Sequence, residues 1–489
     1  MKPGSGLCLP VGALWRGGRP FYRMISIQLI NRRFRRKLKS KKKKHERNKM
    51  KNYFHKAFKE YKLIGKGVHS YEEALSMFLP KNLAYLTGEE KSPFYIKKLE
   101  KKSKKKVGIF IIPKHFSMIE NSKESMNVLR SIVAAFMFQT YEELWLDYKN
   151  CVTVDLPTQV FLDSILLDID EFIKSCKKAN IYKYVRLSSV GGKNIDNQNV
   201  VRLLYSVGSP VELINKQVAY KDIIPYRLRR FDKDKLSINS ALVQKEIDTT
   251  TLLDYVNSCL SRVKKNLSRE TSMDLGYVIG ETLINAEEHS SLKYRYLIGY
   301  FEEGNQDGKH FGLLNLVIMN FGQTIYEKFK YPIENIPINT ECLSKMKKLS
   351  DQFKSHSLFR KDKFTEETLW TLYSLQGGVS CIPREISQRG NGTIQFINSF
   401  FKLKGDENVD NISRMFLLSG NTRIDFDGTY KLVDVKDENG SPRGIISFNQ
   451  TGKLTDAPDE KYVRNVPDYF PGTIIFAKLL INDDDLSNE

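Results

Sequence analysis

Residues 281–289 read Glu-Thr-Leu-Ile-Asn-Ala-Glu-Glu-His, and no other stretch restricts the folding and chemistry of this chain as tightly. Positions i, i+4, i+7 and i+8 share one helical face, so a helix here lines up Glu281, Asn285, Glu288 and His289 in a polar stripe. Leu275, Val278, Ile279, Leu283 and Ile284 supply apolar surface around the same helix. A carboxylate, a carboxamide and an imidazole in one stripe can hold a hard cation, position a water and meet anionic oxygens. Amphipathic surface helices also carry such stripes, so the neighbouring elements and their order decide. Tyr294, Tyr296, Ile298 and Tyr300 alternate in strand fashion, a turn-rich segment comes next at 303–308, and a second apolar run, Phe311 to Met319, ends in Asn320-Phe321-Gly322-Gln323-Thr324. About a hundred residues after the helix comes Arg389-Gly390-Asn391-Gly392-Thr393. Glycines at such positions let the main chain approach a ligand closely.

Further strand-like runs at Arg414 to Ser419, Gly444 to Phe448 and Gly472 to Leu480 are separated by Asn, Asp-Gly, Asn-Gly and Pro turn residues. Between the two glycine segments, Thr365 to Ser380 reads as a capped helix ended by glycines within a long polar connection. Upstream, elements alternate: a strand at Val107 to Ile112, a helix near Asn121 to Thr140, strands at Cys151 to Leu156 and Tyr184 to Leu187 flanking a helix from Gln159 to Lys178, then a helix at Asn197 to Ser206 and a strand at Val211 to Ile214. Alternation of this kind favours a smaller α/β domain with a partly parallel sheet over 107–235. An amphipathic helix over 241–267, carrying Leu252, Val256, Leu260 and Val263, connects the two halves, and its apolar face either enters the core, which the spacing favours, or meets a homodimer partner.

The formal charge of +21 is concentrated: Arg32 to Lys51 holds thirteen Lys or Arg and one acid, Glu46. Residues 1–52 therefore read as a disordered basic arm suited to nucleic acid or anionic lipid, with Met24 and Met50 as alternative starts. Residues 53–106 read as a helical, basic linker region and 482–489 as an acidic tail. Six cysteines without a Cys-x-x-Cys pair exclude a zinc ribbon or disulfide scaffold and suit a reducing cytoplasm. No apolar run approaches the roughly 20 residues of a membrane span.

The segment 268–481 resembles the ATP-binding superfamily of gyrases, histidine kinases, heat-shock chaperones and mismatch-repair proteins (GHKL). Glu281, Asn285, Ala286 and His289 match its N box, Asn320 to Thr324 stands at its first glycine box, Arg389 to Thr393 at its second, and Pro471-Gly472-Thr473 at its closing strand. The resemblance implies a Bergerat-type α/β sandwich, a mixed sheet with helices on one face, binding ATP and Mg2+. It implies that Asn285 coordinates the metal and Glu281 polarises the attacking water. Asn320, Gly322, Arg389, Gly390, Asn391, Gly392, Thr393 and Thr473 would bind nucleotide. The Thr365 to Ser380 helix would belong to a lid closing over it. Asn320 stands where the family carries aspartate and Thr324 where it carries glycine. The 107–235 segment weakly resembles the STAS regulatory domain. Two functions are expected from this: a Mg2+-dependent ATPase or phosphotransferase acting as a regulatory switch on a protein partner, or a nucleotide-dependent interaction module without turnover, associated with nucleic acid through the arm.

Overall fold

The computed structural model describes residues 36–49, 52, 79–178, 185–211, 220–232, 238–288, 292, 294–306, 309–331, 339–356, 364–377, 379, 397–399, 410–436 and 442–482. The described part of the basic arm, 36–49, is helical and exposed. Beyond it, parallel and antiparallel sheets are combined with helices in a mixed α/β fold.

Helix α1 (Lys81–Gly88) leads into strand β1 (Lys105–Ile111), β2 (His115–Phe116), α2 (Ser122–Met137), β3 (Tyr141–Asp147), β4 (Thr153–Val154), α3 (Leu156–Lys178), β5 (Ser189–Lys193) and α4 (Gln198–Val207). Strands β1, β3 and β5 form a sheet in that order, parallel throughout, and β2 pairs with β4 in parallel. Where local patterning misplaces an element, a side chain has intervened. The strand expected at Tyr184 to Leu187 instead begins at Ser189, because Gln139 Oε1 accepts the N–H groups of Arg186 (2.7 Å) and Leu187 (3.1 Å). The strand expected over Cys151 to Leu156 shortens to Thr153–Val154, because Asp155 Oδ1 accepts Thr158 N–H (2.7 Å) and starts α3 there. The strand expected at Val211 to Ile214 lies mostly outside the described residues.

A second, five-stranded sheet has the order β6-β7-β8-β12-β9. It comprises β6 (Ile223–Asp232), β7 (Tyr294–Gln306), β8 (Lys309–Phe321), β9 (Arg414–Phe426) and β12 (Val463–Asn482), while β10 (Val433–Lys436) and β11 (Pro442–Ile445) make a separate hairpin. Every pairing in this sheet is antiparallel, so the mixed sheet expected here is corrected among the described residues. β6 lies inside the 107–235 segment yet pairs with β7.

The second correction concerns the faces. Successive strand residues point to opposite sides. Tyr296, Ile298, Val317, Met319, Phe321, Phe416 and Phe476 enter one core with α2 and α3 of the N-terminal half. Leu297, Leu314, Leu316, Ile318, Met415, Leu417 and Leu479 enter another with α5 (Ile238–Arg262), α6 (Arg269–Glu288), α8 (Thr340–His356) and α9 (Glu366–Ser374). The sheet is thus buried on both faces rather than backed by helices on one. Phe161 of α3 seals the first core against Phe321 and Phe470, each 5.4 Å away between ring centroids.

On α5, Leu252, Val256, Cys259, Leu260 and Val263 are all buried in the second core. Of the two faces the sequence offered for this stripe, core and partner, the structure shows the core. The same core holds an ion pair between Asp248 of α5 and Arg295 of β7, whose guanidinium stacks 4.2 Å from the Phe231 ring centroid. Asp248 also accepts from Gln244 (2.9 Å) and Arg229 (3.4 Å). In the first core, Asp163 of α3 accepts from Gln159 Nε2 and Ser209 Oγ, both at 2.8 Å.

Candidate functional site: a polar row at one end of the antiparallel sheet

The face of the sheet that meets α5, α6 and α9 is apolar along most of its length. Across β8, β12 and β9, Ile318, Ile475 and Leu417 stand in register, and the next inward-pointing row is Asn320, Thr473 and Ser419. The row is therefore an abrupt change from hydrocarbon to hydrogen-bonding groups. Asn320 is 2% exposed and Ser419 fully buried, so each must find partners within the protein. Asn320 Oδ1 accepts the Thr473 N–H at 3.1 Å. Ser419 Oγ accepts the Ile325 N–H (2.9 Å), donates to the Gly472 carbonyl (3.1 Å) and lies 3.0 Å from Thr473 Oγ1.

Two glycines make the crossing. Gly472 has φ 149° at a β12 irregularity, and a Cβ there would lie 2.1 Å from the Asn320 carbonyl oxygen. Gly322, at φ 130°, turns the chain out of β8, and its N–H donates to the Pro471 carbonyl at 3.3 Å. Thr324 then caps α7 (Ile325–Lys330): its hydroxyl accepts the Glu327 N–H (3.1 Å), and Glu327 Oε2 accepts the Thr324 N–H (3.0 Å). This is the physical reason for threonine where the resemblance implies glycine. The other oxygen of Glu327 accepts from Lys91 (2.6 Å) and the Tyr469 hydroxyl (3.1 Å), which pins the turn to the segment after α1. Burial first, then the Glu327 charge, raises the Tyr469 phenol so that it stays a donor. Burial also raises the Glu367 carboxyl, against the Asn421 N–H that it accepts at 2.8 Å.

Comparison with protein-family models, with curated proteins and with solved structures finds no match to this chain.

Of the residues singled out in the sequence, Asn320, Gly322 and Thr473 come together, with Thr473 directly across from Asn320. Glu281 and Asn285 are one turn apart on α6, whose Leu275, Ile279 and Leu283 are buried in the core on the same side of the sheet as the row. Their own side chains lie outside the described residues, as do His289 and all of Arg389, Gly390, Asn391, Gly392 and Thr393. Ser419 is the member that sequence reasoning missed. Its one signal is a hydroxyl ending the apolar run Met415 to Leu418, and only the register reveals its neighbours.

The lid expectation is corrected over Thr365 to Ser374: every residue from Thr368 to Tyr373 is buried, and Trp370 Nε1 donates to Ser350 Oγ of α8 at 2.9 Å. A helix committed in this way to a core is no moving cover. Among the described residues no group of three or more His, Cys, Asp or Glu is placed to hold a metal ion, and no helix is long and apolar enough to cross a membrane. A cleft of about 270 Å3 lined by Leu99, Phe110, Arg130 and Tyr141 belongs to the N-terminal half and shares no residue with the row.

Chemically, the row offers a buried carboxamide and two hydroxyls in one line. An amide oxygen has two lone pairs, and the Thr473 N–H uses one.

Proposed function

We propose that the chain binds ATP with Mg2+ between the Asn320, Thr473 and Ser419 row and helix α6, and uses the bound state as a regulatory switch on a protein partner, with ATP hydrolysis or phosphoryl transfer resetting it. The observation that carries this reading is the direct pairing of Asn320 with Thr473 on the face of the sheet that α6 also covers. Asn320 receives the base, and Gly322 and Gly472 keep the main chain of the turn close to it. Asn285 supplies a carbonyl oxygen to the cation, and Glu281 orients the attacking water and holds its proton. The cation, when bound, neutralises phosphate charge. The second glycine segment, Arg389 to Thr393, contributes main-chain N–H groups to the phosphates. The basic arm adds a nucleic-acid or other polyanion interaction.

A second reading, nucleotide binding without turnover, has a specific observation in its favour: Thr324 is committed to capping α7 and Asn320 replaces a charged acceptor by a neutral one. Charge-assisted hydrogen bonds are about twice as strong as neutral ones, so base recognition here is weakened.

With Mg2+ and ATP at about 100 times the dissociation constant, thermal unfolding of the wild type is expected to rise by the equivalent of about 2.7 kcal/mol, and Asn285→Ala to abolish the rise. Melting that ignores millimolar ATP and Mg2+ counts against any nucleotide function. Glu281→Ala is expected to keep the thermal shift and lose phosphate release. A wild type that binds ATP, releases no phosphate and labels no protein establishes the second reading instead.

A further inference from the structure

Strand β1 is an edge of its sheet, and among the described residues no strand pairs with its outer side. One face of the strand is buried against α2, through Ile112 and the half-buried Phe110. The other is bare: Val107, Ile109 and Ile111 are 42, 54 and 63% exposed. Parallel sheets ordinarily have both faces covered, so an edge with no strand partner among the described residues, beside an exposed β-branched stripe, is suited to accept a further strand. Immediately before and into this strand run Lys101, Lys102, Lys104, Lys105 and Lys106, all exposed. Lys102, Lys104, Lys105 and Lys106 have no ion-pair partner among the described residues. Lysine guards many sheet edges by recurring along them, but here it is gathered at one end and leaves the apolar stretch bare.

We propose that β1 is a strand-addition site for an extended, acidic segment of another protein. The incoming main chain pairs with the open N–H and C=O groups of β1, its alternate apolar side chains cover Val107, Ile109 and Ile111, and its carboxylates meet Lys104, Lys105 and Lys106. The charge favours this occupant over a second copy of the chain. Antiparallel self-pairing centred on Ile109 sets Lys104 across from Lys114 of the second copy, and like charges directly opposite are destabilising. A nucleic acid would meet the lysines but neither pair with the strand edge nor cover the isoleucines.

The test uses the full chain and a fluorescein-labelled peptide of about ten residues, three aspartates followed by alternating valine and threonine, titrated by anisotropy. A charge-matched peptide with proline at alternate positions cannot pair along the edge and reports attraction to the basic arm alone. Saturable binding is expected, weakened about tenfold or more by the prolines, by Ile109→Glu and by the triple variant Lys104→Glu, Lys105→Glu, Lys106→Glu. Because all four positions are exposed, circular dichroism should be unchanged in both variants. Equal binding of the proline peptide, or none by either peptide, overturns the proposal. So does a dimer in sedimentation that Ile109→Glu dissolves, which assigns the face to a second copy. Oligothymidylate binding that the triple variant loses, without peptide binding, assigns it to nucleic acid.

Discussion

Asp248→Ala is expected to lower the stability of the protein by about 3–5 kcal/mol, seen as a lower urea midpoint with little change in slope. Arg295 is 1% exposed and cannot turn to water when its carboxylate goes. Removing one partner of such a pair costs more than the pair is worth, because the other charge stays desolvated. The half-buried Gln244 also loses an acceptor, whereas Arg229, with a side chain 40% exposed, can turn to water, so the cost centres on Arg295. Replacing both partners, as in Asp248→Leu with Arg295→Met, should recover most of the loss, since the hydrophobic pair leaves no charge behind. For scale, Glu341→Ala on α8 breaks the exposed pair with Lys345 and should cost under about 0.5 kcal/mol. A loss below about 1 kcal/mol for Asp248→Ala would mean that water reaches Arg295 and that the second core is looser than its burial indicates.

Asp163→Asn is expected to stabilise the protein in a pH-dependent way. Burial pushes the Asp163 carboxyl up to about 7 from an ordinary 3.8, against the opposing pull of its hydrogen bonds from Ser209 and Gln159. No cation is among the causes of its shift. Between those two values the native state holds a proton that the unfolded state has released. Stability from this group is therefore fully present below pH 3.8 and is lost as pH rises through about 7. Asparagine keeps an oxygen acceptor for both donors and never ionises. The advantage of the variant should thus be near zero at the acid end, grow through the interval, and level off above pH 7 at about 2–4 kcal/mol. Denaturant titrations at pH 5 and pH 8 measure it, and an advantage that does not change between them would show that Asp163 keeps one protonation state throughout.

What local patterning reveals in this chain, and what it hides, reflects the physics of each element. The period of two at Tyr294, Tyr296 and Ile298 is legible because those side chains really do share one core face. β3 escapes notice because Glu142, Glu143 and Asp147 dilute its pattern, although Leu144 and Leu146 are buried. β6, with Pro225 and three arginines, escapes notice too: acids on neighbouring helices hold two of them, Asp168 and Glu171 on Arg230 and Asp248 on Arg229, while Arg227 donates to the Tyr205 carbonyl. Those partners lie about twenty to sixty residues away and no local window contains them. The site divides in the same way. Asn320, Gly322 and Thr473 are visible as motif positions, whereas Ser419 becomes part of the row only through strand register. The second glycine segment lies outside the described residues, so its half of the expected site rests on sequence alone.

The strand order carries a last consequence, for synthesis. β12 comes last among the described elements, yet it lies between β8 and β9, some forty to one hundred and fifty residues behind it. A nascent chain that has already produced β6, β7, β8 and β9 therefore has a gap in the middle of its sheet, with two unsatisfied borders facing each other. The ribosome must finish β12 before that gap can close, and until then two unpaired strand edges are open to wrong partners.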